Sequence, residues 1–437
     1  MKRHILLRSL LTVLLLWTMI SCSMFRPATE KPKETSSIQT EESTSAKETI
    51  PSVSDTPLPE TETEIEEQTL PVIETENDTE PLPVPTKKVS FIGAGDNIVY
   101  YGNVRDAASC AEENGRTYNF APTYSSVRTL IEEADIAFIN QETLMCGHGY
   151  AFSYYPRFNG PQDLGFDLQE IGFDVVNIAN NHMLDKGADG LTATIDFWNS
   201  MDGITLIGGY KSPEDYAEPR IISMEDVQIA FLSYTFMTNG LVLPSTSSLA
   251  IPYPDDETVI SQLARARELA DYIIVSVHWG EENIFTPNEE QRSFASLLAE
   301  HGADAIIGHH PHVIQPIEWI DRPDGGKTLC VYSLGNFMAE MSRDYNMLGG
   351  FISFDIVVTG ETVSTENVLF TPTVYYFTTS FYQNHIYPLA DFTEELAASH
   401  GLAYYGRTIT VQGIRSYLNK TISDEFLPSD LRRNAQQ

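Results

Sequence analysis

Basic residues are scarce in this 437-residue chain, which has 27 lysines and arginines against 61 aspartates and glutamates and a formal net charge of -34. Such a chain lacks the broad cationic face that holds a phosphate backbone, so nucleic-acid binding is excluded as its main function. Cysteine is scarce as well. Apart from Cys22 there are only Cys110, Cys146 and Cys330, with no metal-ligand spacing, and these are either buried thiols or include one disulfide.

Apolar runs that approach the roughly 20 residues needed to span a bilayer are absent beyond the N-terminus. There, MKRHILLRSLLTVLLLWTMISCS has a basic start, a short apolar stretch and Cys22, which is typical of a secretory signal. The residues before Cys22 resemble a bacterial lipobox. We therefore predict a signal peptide at 1–22, a lipid on Cys22 and an extracytoplasmic protein anchored to the cell membrane. The alternative is an uncleaved signal anchor.

Apolar residues are also sparse from 23 to 86, where Thr, Glu, Pro and Ser dominate and fifteen acidic residues face four basic ones. Low hydrophobicity and high charge cannot offset the entropy of folding, so we predict a disordered acidic stalk. The following residues, 87–385, are predicted to form one folded domain. The last stretch, 386–437, is less patterned and is interpreted as a C-terminal extension.

Short apolar runs alternate with helix-like segments through the folded part. The predicted strands are 89–94, 135–142, 173–182, 271–280 and 303–310, and the predicted helices are 123–134, 189–201, 257–270 and a segment capped by Asn288 and Gly302. This alternation predicts an α/β fold. A hairpin at 220–236 and the β-rich segments GKTLCVYSLGNF and GGFISFDIVV add antiparallel strands, so the sheets should be mixed.

Polar side chains follow the buried strands at the points where they end. Because ligands bind outside the carboxyl ends of strands in α/β sheets, these residues should share one pocket. Five of the ten histidines lie there. The set consists of Asp96, Asn97, Asn140, Glu142, Asn180, Asn181, His182, His278, Glu281, Glu282, His309, His310 and His312.

Each of these short motifs has a plainer interpretation alone: GAGDN as a turn, NQE as a surface corner, ANNH as a helix cap and VHWG as a core histidine. The GHHPH run is seldom only packing. Together, their carboxylates, carboxamides and imidazoles suit Mn²⁺, Fe²⁺ or Zn²⁺, as one or two ions. If the GHHPH run is extended, His310 and His312 face the pocket and His309 points away, because side chains alternate along a strand.

The stretches GAGDN, FINQET, FNGP, GFDVVNIANNHMLDKGADGL, VSVHWGEEN, GADAIIGHHPHVIQPIE and YSLGNF resemble the poly-γ-glutamate capsule synthesis family, the CapA-like proteins. The resemblance implies a metallophosphatase-like fold, a four-layer α/β/β/α sandwich with two facing mixed sheets. The chain departs from true metallophosphoesterases, which have an Asp-x-His pair where this chain has Asp96-Asn97-Ile98. They also have Gly-Asp where this chain has Asn140-Gln141-Glu142.

By this resemblance, the protein takes part in poly-γ-glutamate capsule synthesis or export. In one hypothesis it is a metal-dependent hydrolase of a phosphoester or γ-glutamyl bond, with His182 as general acid and with Glu142 and Asn181 also catalytic. The metal ligands would then be Asp96, Glu142, Asn181, His278, His310 and His312. The substrate contacts would be Asn97, Asn140, Asn180, His309 and Glu281. In the other hypothesis it is a non-catalytic module that binds an anionic envelope polymer or a membrane synthase subunit.

Overall fold

The computed structural model describes residues 86–111 and 115–433. The predicted signal peptide, its Cys22 and positions 23–85 of the predicted stalk lie outside these residues. Within the described part, no helix has the length and apolar character needed to cross a membrane.

Fourteen strands form two sheets in the described part of the chain. In chain order they are β1 (Thr86–Asn97), β2 (Ile136–Gln141), β3 (Val175–Asn177), β4 (Thr205–Ile207), β5 (Arg220–Met224), β6 (Val227–Thr235), β7 (Tyr272–His278), β8 (Ala305–His309), β9 (Ile317–Asp321), β10 (Lys327–Val331), β11 (Asn336–Met338), β12 (Leu348–Thr359), β13 (Thr362–Tyr376) and β14 (His385–Pro388).

The α-helices run between and after these strands. Those in the described residues are α1 (Tyr101–Ser109), α2 (Arg128–Glu132), α3 (Asp163–Ile171), α4 (Gly187–Asn199), α5 (Pro213–Ala217), α6 (Asp256–Leu269), α7 (Glu289–Glu300), α8 (Glu394–Ser399) and α9 (Val411–Thr421).

The first sheet has the order β14-β13-β12-β1-β2-β3-β4, with β11 beside the end of β1, and the second has the order β5-β6-β7-β8-β10-β9. In each sheet a parallel centre is flanked by antiparallel strands: β1 to β4 are parallel, as are β6, β7, β8 and β10. Antiparallel β12 and β5 extend the two centres. The predicted mixed sheets are therefore confirmed.

The inner faces of the two sheets share one hydrophobic cluster, in which Phe91 of β1 is buried together with Ile274 of β7 and Ile307 of β8. The opposite face of the second sheet packs against α6 and α7 through residues such as Leu263 and Leu298. The helices α3 and α4, which connect β2 to β3 and β3 to β4, contribute Leu168 and other apolar residues to the core on the first-sheet side. The predicted four-layer sandwich is confirmed.

Local sequence explains several element ends. Asn288 caps α7, accepting from the backbone N–H of Gln291 at 2.9 Å, while the Gln291 side chain accepts from the Asn288 backbone N–H at 3.1 Å. β3 is much shorter than predicted because the side chain of Asn177 accepts from the N–H of Ala179 and turns the chain. The predicted helix at 123–134 is also wrong in extent: a 3-10 turn at Ala121–Tyr124 precedes the five-residue α2.

The residues after 385 belong to the same core. The expected boundary falls inside β14, which pairs with β13. Ile414 and Leu418 of α9 and, beyond it, Phe426 are buried in the cluster that the two sheets share.

Candidate metal centre

The ends of β1, β2, β7 and β8, with the loop after β3, meet at one edge of the sandwich. They bring together seven polar side chains that are each at most 7% exposed: Asp96, Glu142, His182, His278, His309, His310 and His312. Asp96 and Glu142 come from the first sheet and His278 and His309 from the second. Burial on this scale requires every polar atom to find a partner, either within the protein or in a ligand.

Two glycines allow the backbone to reach this edge. A Cβ on Gly95 would lie 2.1 Å from the carbonyl oxygen of Gly335, and one on Gly308 would lie 2.0 Å from that of Tyr332. Only glycine tolerates such contacts. Each residue therefore lets a neighbouring segment pack directly against the strand that presents Asp96 or His309.

The GHHPH run does not continue as an extended strand. His310 has a φ of 97° and His312 a φ of 54°, which place both in the left-handed region that is strained for non-glycine residues. Such conformations cost roughly 1–3 kcal/mol each and concentrate at functional sites. The expected alternation is wrong, because this turn directs His309 into the cluster as well, with its Nδ1 3.4 Å from Oδ1 of Asp96.

Asp96 is the centre of the hydrogen-bond network. Its Oδ1 accepts from Nδ2 of Asn140 at 2.8 Å, and its Oδ2 lies 3.1 Å from Nδ1 of His312 and accepts from the backbone N–H of His310 at 3.3 Å. Burial alone would raise the pKa of Asp96. The hydrogen bonds and charges of His309 and His312 outweigh burial and hold this pKa well below its ordinary value, so the carboxylate is ionised.

Glu142 is a buried carboxylate that no hydrogen bond within the protein satisfies. Both of its carboxylate oxygens are buried without a hydrogen-bond partner. The nearest imidazole nitrogens are Nε2 of His182 at 3.8 Å and Nε2 of His312 at 3.9 Å, beyond hydrogen-bond range. Burial raises the pKa of Glu142 to about 7. A carboxylate held in this state is a strong candidate ligand for a cation.

The imidazoles of His278, His309 and His310 also have buried nitrogens without hydrogen-bond partners, namely Nδ1 of His278 and His310 and both ring nitrogens of His309. Nε2 of His278 lies 3.1 Å from Oδ1 of Asn181, so the N–H of His278 is at Nε2 and the lone pair is at Nδ1. Burial lowers the pKa of His278, and it lowers that of His310 to about 3, with His312 adding to the second shift. Both rings are neutral, as metal ligation requires.

His312 differs from these two rings because its Nδ1 also lies 3.0 Å from Oδ1 of Asn336. Two acceptors at one nitrogen mean that Nδ1 carries the proton, leaving Nε2 directed toward Glu142. Burial alone would lower the pKa of His312. The charge of Glu142, followed by the hydrogen bond and charge of Asp96, raises it to about 9.

These donors fit a divalent ion. One ligand atom from each of Asp96, Glu142 and His278 lies within 4.8 Å of the others, and donors about 2.0–2.2 Å from an ion lie up to about 4 Å apart. Mixed carboxylate and imidazole ligands suit a borderline first-row metal. The rings of His278 and His310 are 4.8 Å apart and those of His310 and His312 are 5.8 Å apart, so the other imidazoles border the same space.

The outer wall of the centre is a polar cavity of about 230 Å³ whose lining includes Tyr155, Arg157, Asn181, His182, Asp185 and Glu282. Nδ1 of His182 lies 2.8 Å from Oδ2 of Asp185. The ring of His182 also packs edge-on against Phe158, with the ring centroids 4.7 Å apart. The imidazole is thus held with Nε2 facing Glu142 and the cavity.

Asn140 and Asn180 lie behind the centre. Asn140 donates to Asp96 and accepts from Nδ2 of Asn177 at 2.8 Å, and Asn180 accepts from the backbone N–H of His182 at 2.9 Å. Both groups position other site residues. The structure does not bring every predicted substrate contact to the cavity, however.

Asn97 points to the opposite face of β1, where it donates to Gln141 and accepts from Tyr124, because successive side chains of a strand alternate. Glu281 is exposed, and its neighbour Glu282 lines the cavity instead. The turn after β7 determines which of these two glutamates reaches the cavity. The alternation of side chains along the strand does not continue into that turn, so it could not predict the choice.

Sequence reasoning did not identify Asp185, Asn239 and Asn336 as site residues. Asp185 follows His182 by three residues, and a carboxylate at that spacing could have indicated a hydrogen-bonded His–Asp pair. Asn336 belongs to the YSLGNF stretch that carried the family resemblance. Asn239, whose Nδ2 lies 3.5 Å from Nδ1 of His182, comes from a loop with no pattern of its own.

Comparison with known protein families gives a match to the model for the bacterial capsule synthesis protein PGA_cap over residues 90–341. The matched range contains every residue of the cluster described above.

Among individual relatives, the chain is 33% identical over 174 residues to the PGA biosynthesis protein CapA of Bacillus subtilis (strain 168). It is 32% identical over 179 residues to the capsule biosynthesis protein CapA of Bacillus anthracis. Each match covers 40% of this chain, and the matches span 44% and 42% of the two relatives. The chain therefore spans less than half the length of these two relatives.

Two solved structures illustrate the similarity at the level of the backbone. A novel phosphatase from Mycoplasma pneumoniae is 14% identical with a TM-score of 0.39, and the match covers 66% of this chain and 95% of that one. The calcineurin-like phosphoesterase YfkN from Bacillus subtilis is 13% identical with a TM-score of 0.38, with 76% and 98% covered.

Proposed function

The chain belongs to the bacterial capsule synthesis protein PGA_cap family, and from this membership we propose that it is a metal-dependent hydrolase of γ-glutamyl amide bonds in an anionic cell-envelope polymer. The relatives in Bacillus are named for PGA and capsule biosynthesis. In this role the protein trims or releases polymer during capsule production.

One observation carries the proposal: the buried centre contains donor atoms that no protein group satisfies. Both oxygens of Glu142 and Nδ1 of His278 and His310 lack partners, although a buried unpaired carboxylate is costly. A purely structural network would pair these atoms. Their convergence with Asp96 is what a cation-binding hydrolytic site requires.

Asp96, Glu142 and His278 would hold the ion, with His310 and His312 beside them and Asn181 fixing the ring of His278. A divalent ion held there would supply Lewis-acid chemistry, that is, polarisation of a carbonyl oxygen and a lower pKa for water.

His182 stands on the cavity side with Nε2 free. His182 donates a proton to the departing amide nitrogen. Asp185 accepts a hydrogen bond from Nδ1 of His182 and stabilises the imidazolium form. The proton-transfer group therefore lies between the buried centre and the cavity where a substrate enters.

The same proposal extends to location and partners. A lipid on Cys22 would anchor the protein outside the cell membrane, next to the membrane synthase subunits that produce the polymer. Replacing Cys22 with Ala should release the protein from the membrane fraction or leave it unprocessed. If the variant fractionates and migrates like the wild type, the anchor is wrong.

The test of the catalytic proposal is metal analysis of the purified full-length protein, followed by assays with γ-glutamyl peptides and with a generic phosphoester. Glu142→Gln keeps the shape of the side chain and removes its charge, so it should lose bound metal and at least about a hundredfold in hydrolysis. His148→Ala, in an exposed loop, is the matched control.

If the protein cleaves only the phosphoester, its substrate bond is a phosphoester and not a γ-glutamyl amide. If the metal-loaded wild type cleaves neither substrate, or if Glu142→Gln retains wild-type metal content and activity, the hydrolase proposal is wrong. The chain would then be a binding module of the capsule machinery.

A further inference from the structure

Aromatic rings extend away from the centre across the surface. Phe158, which packs on His182, lies 6.4 Å from the ring of Tyr155 and 5.3 Å from that of Tyr100. The next residue along the chain, Tyr101, meets Tyr154 at 5.6 Å. Two segments far apart in sequence, 100–101 and 154–158, thus form one continuous aromatic surface beside the cavity.

A third segment continues this surface. Arg105 lies over the ring of Tyr101 with its guanidinium carbon 5.8 Å from the centroid, and it donates to the carbonyl oxygen of Ser380 at 3.0 Å. The adjacent Phe381 packs against Tyr404 with ring centroids 5.0 Å apart. We name the surface formed by Tyr101, Tyr154, Tyr155, Tyr404, Arg105 and Arg157 the aromatic track.

The rings of the track are unusually accessible. Tyr155 is 75% exposed, Tyr404 65% and Tyr101 58%, although large aromatic side chains normally bury most of their area. An exposed group of rings that leads to a cavity is typical of a ligand-binding surface. The phenol groups add hydrogen-bonding tips, which suits a polar polymer better than an apolar one.

Charge indicates which polymer fits. The chain after Thr86 has 46 acidic and 20 basic residues, so a polyanion is repelled from most of its surface. Arg105 and Arg157 form no ion pair with any carboxylate in residues 86–111 and 115–433. Arg157 lines the cavity and Arg105 lies among the rings of the track. Nε and Nη2 of Arg105 donate to Tyr382 and Ser380, so Nη1 of Arg105 and the guanidinium of Arg157 are the groups that remain for carboxylates, at separate points along one path.

We propose that the aromatic track is an extended binding site for a linear, carboxylate-bearing polymer of γ-linked glutamate, which it guides toward the cavity beside His182. Tyrosine faces pack on the methylene groups and amide planes of successive units, while Arg157 and Arg105 pair with side carboxylates. The inference rests on the proposed function for the identity of the polymer. The track itself is defined by its own contacts.

The experiment measures equilibrium binding of end-labelled poly-γ-glutamate to the full-length protein by fluorescence anisotropy, with a long chain and a γ-glutamyl dipeptide as probes. Loss of two stacking faces in Tyr101→Ala/Tyr404→Ala should weaken binding of the long chain about tenfold. Arg105→Met should weaken it as well and reduce its salt dependence. Phe166→Ala, which removes a 42% exposed ring on α3, is the matched control and should bind like the wild type.

Unchanged long-chain affinity in the tyrosine double variant, with a wild-type circular-dichroism spectrum and urea-unfolding midpoint as the check of folding, would overturn the proposal. Equal affinity for a neutral glycan would also overturn it, because the arginines would then play no part. Anisotropy does not require turnover, so the two proposals fail separately. If the wild type cleaves nothing but the variants lose long-chain binding, the track is supported and the hydrolase proposal is wrong. If the wild type cleaves the substrate but the variants bind the long chain normally, only the hydrolase proposal stands.

Discussion

The two sheets contribute different chemistry to the same centre. The first supplies candidate oxygen ligands, Asp96 and Glu142, and the second supplies candidate nitrogen ligands, His278 and His310. Neither sheet alone presents a mixed set that would suit a borderline metal ion. The centre therefore depends on the sheets packing face to face, and a change that alters their packing should affect it even without touching a ligand.

The histidines of the two regions differ in whether their ring nitrogens have hydrogen-bond partners. His278 and His310 each have a buried nitrogen without a partner, whereas both nitrogens of His400, near the end of the first sheet, are satisfied. Nε2 of His400 lies 3.0 Å from the carbonyl oxygen of Tyr375, and its Nδ1 accepts from the backbone N–H of Leu402 at 3.1 Å. His400 is therefore buried in a structural role, with each ring nitrogen paired to the backbone. The unpaired ring nitrogens make His278 and His310 candidate ligands, which their burial alone would not.

The largest effect is expected when the second-sheet side of the centre loses two of its four imidazoles. His310→Ala/His312→Ala removes two candidate ligands and the partner that holds Asp96, so bound metal should fall to background and hydrolysis by a factor of about a thousand or more. Metal content by elemental analysis is the measurement, with His301→Ala as the control. Wild-type metal content in the double variant would mean that the cluster is structural.

A smaller effect is expected on the first-sheet side, at the residue that positions His182. Asp185→Asn keeps the size of the side chain but removes the charge that stabilises the imidazolium, so kcat should fall by about a hundredfold. Metal content should stay at the wild-type level because Asp185 is outside the ligand set. A variant that loses metal along with activity would place Asp185 among the ligands instead.

The smallest effect concerns stability and tests the structural role of His400. Burial lowers its pKa in the folded protein to about 4, while the unfolded chain has about 6.5. The unfolded state therefore binds the proton more readily, so stability is complete above pH 6.5 and is lost as the pH falls toward 4. At pH 5.5 the loss attributable to this residue is about 1 kcal/mol.

Urea unfolding at pH 7.5 and 5.5 measures this difference. His400→Gln should be less stable than the wild type at pH 7.5 but should lose about 1 kcal/mol less between the two pH values. The exposed His148→Gln should follow the wild type at both. An unchanged pH difference in His400→Gln would show that the ring does not exchange its proton on unfolding.

Much of the centre was predictable because its residues follow strands. Parallel strands bring their carboxyl ends to one edge of a sheet, so Asp96 could be placed beside Glu142, and His278 beside the GHHPH run, from apolar runs alone. The capping box at Asn288 was predictable for the same local reason. Prediction failed where the chain leaves regular structure, as at the left-handed turn of His310 and His312 and at the choice of Glu282 over Glu281.

The sequence by itself determined the charge of the chain, the α/β alternation and the residue types at the strand ends, because each is a property of composition or of short-range periodicity. Only the tertiary structure decided which of those polar atoms remain without a partner, and that Asp185 and the aromatic track adjoin the centre. Hydrogen-bond satisfaction and burial depend on groups distant in sequence, such as Asn336 beside His312 or Ser380 beside Arg105. The pKa of Glu142 is raised by burial in the same way, and no local pattern encodes the packing of one sheet on another.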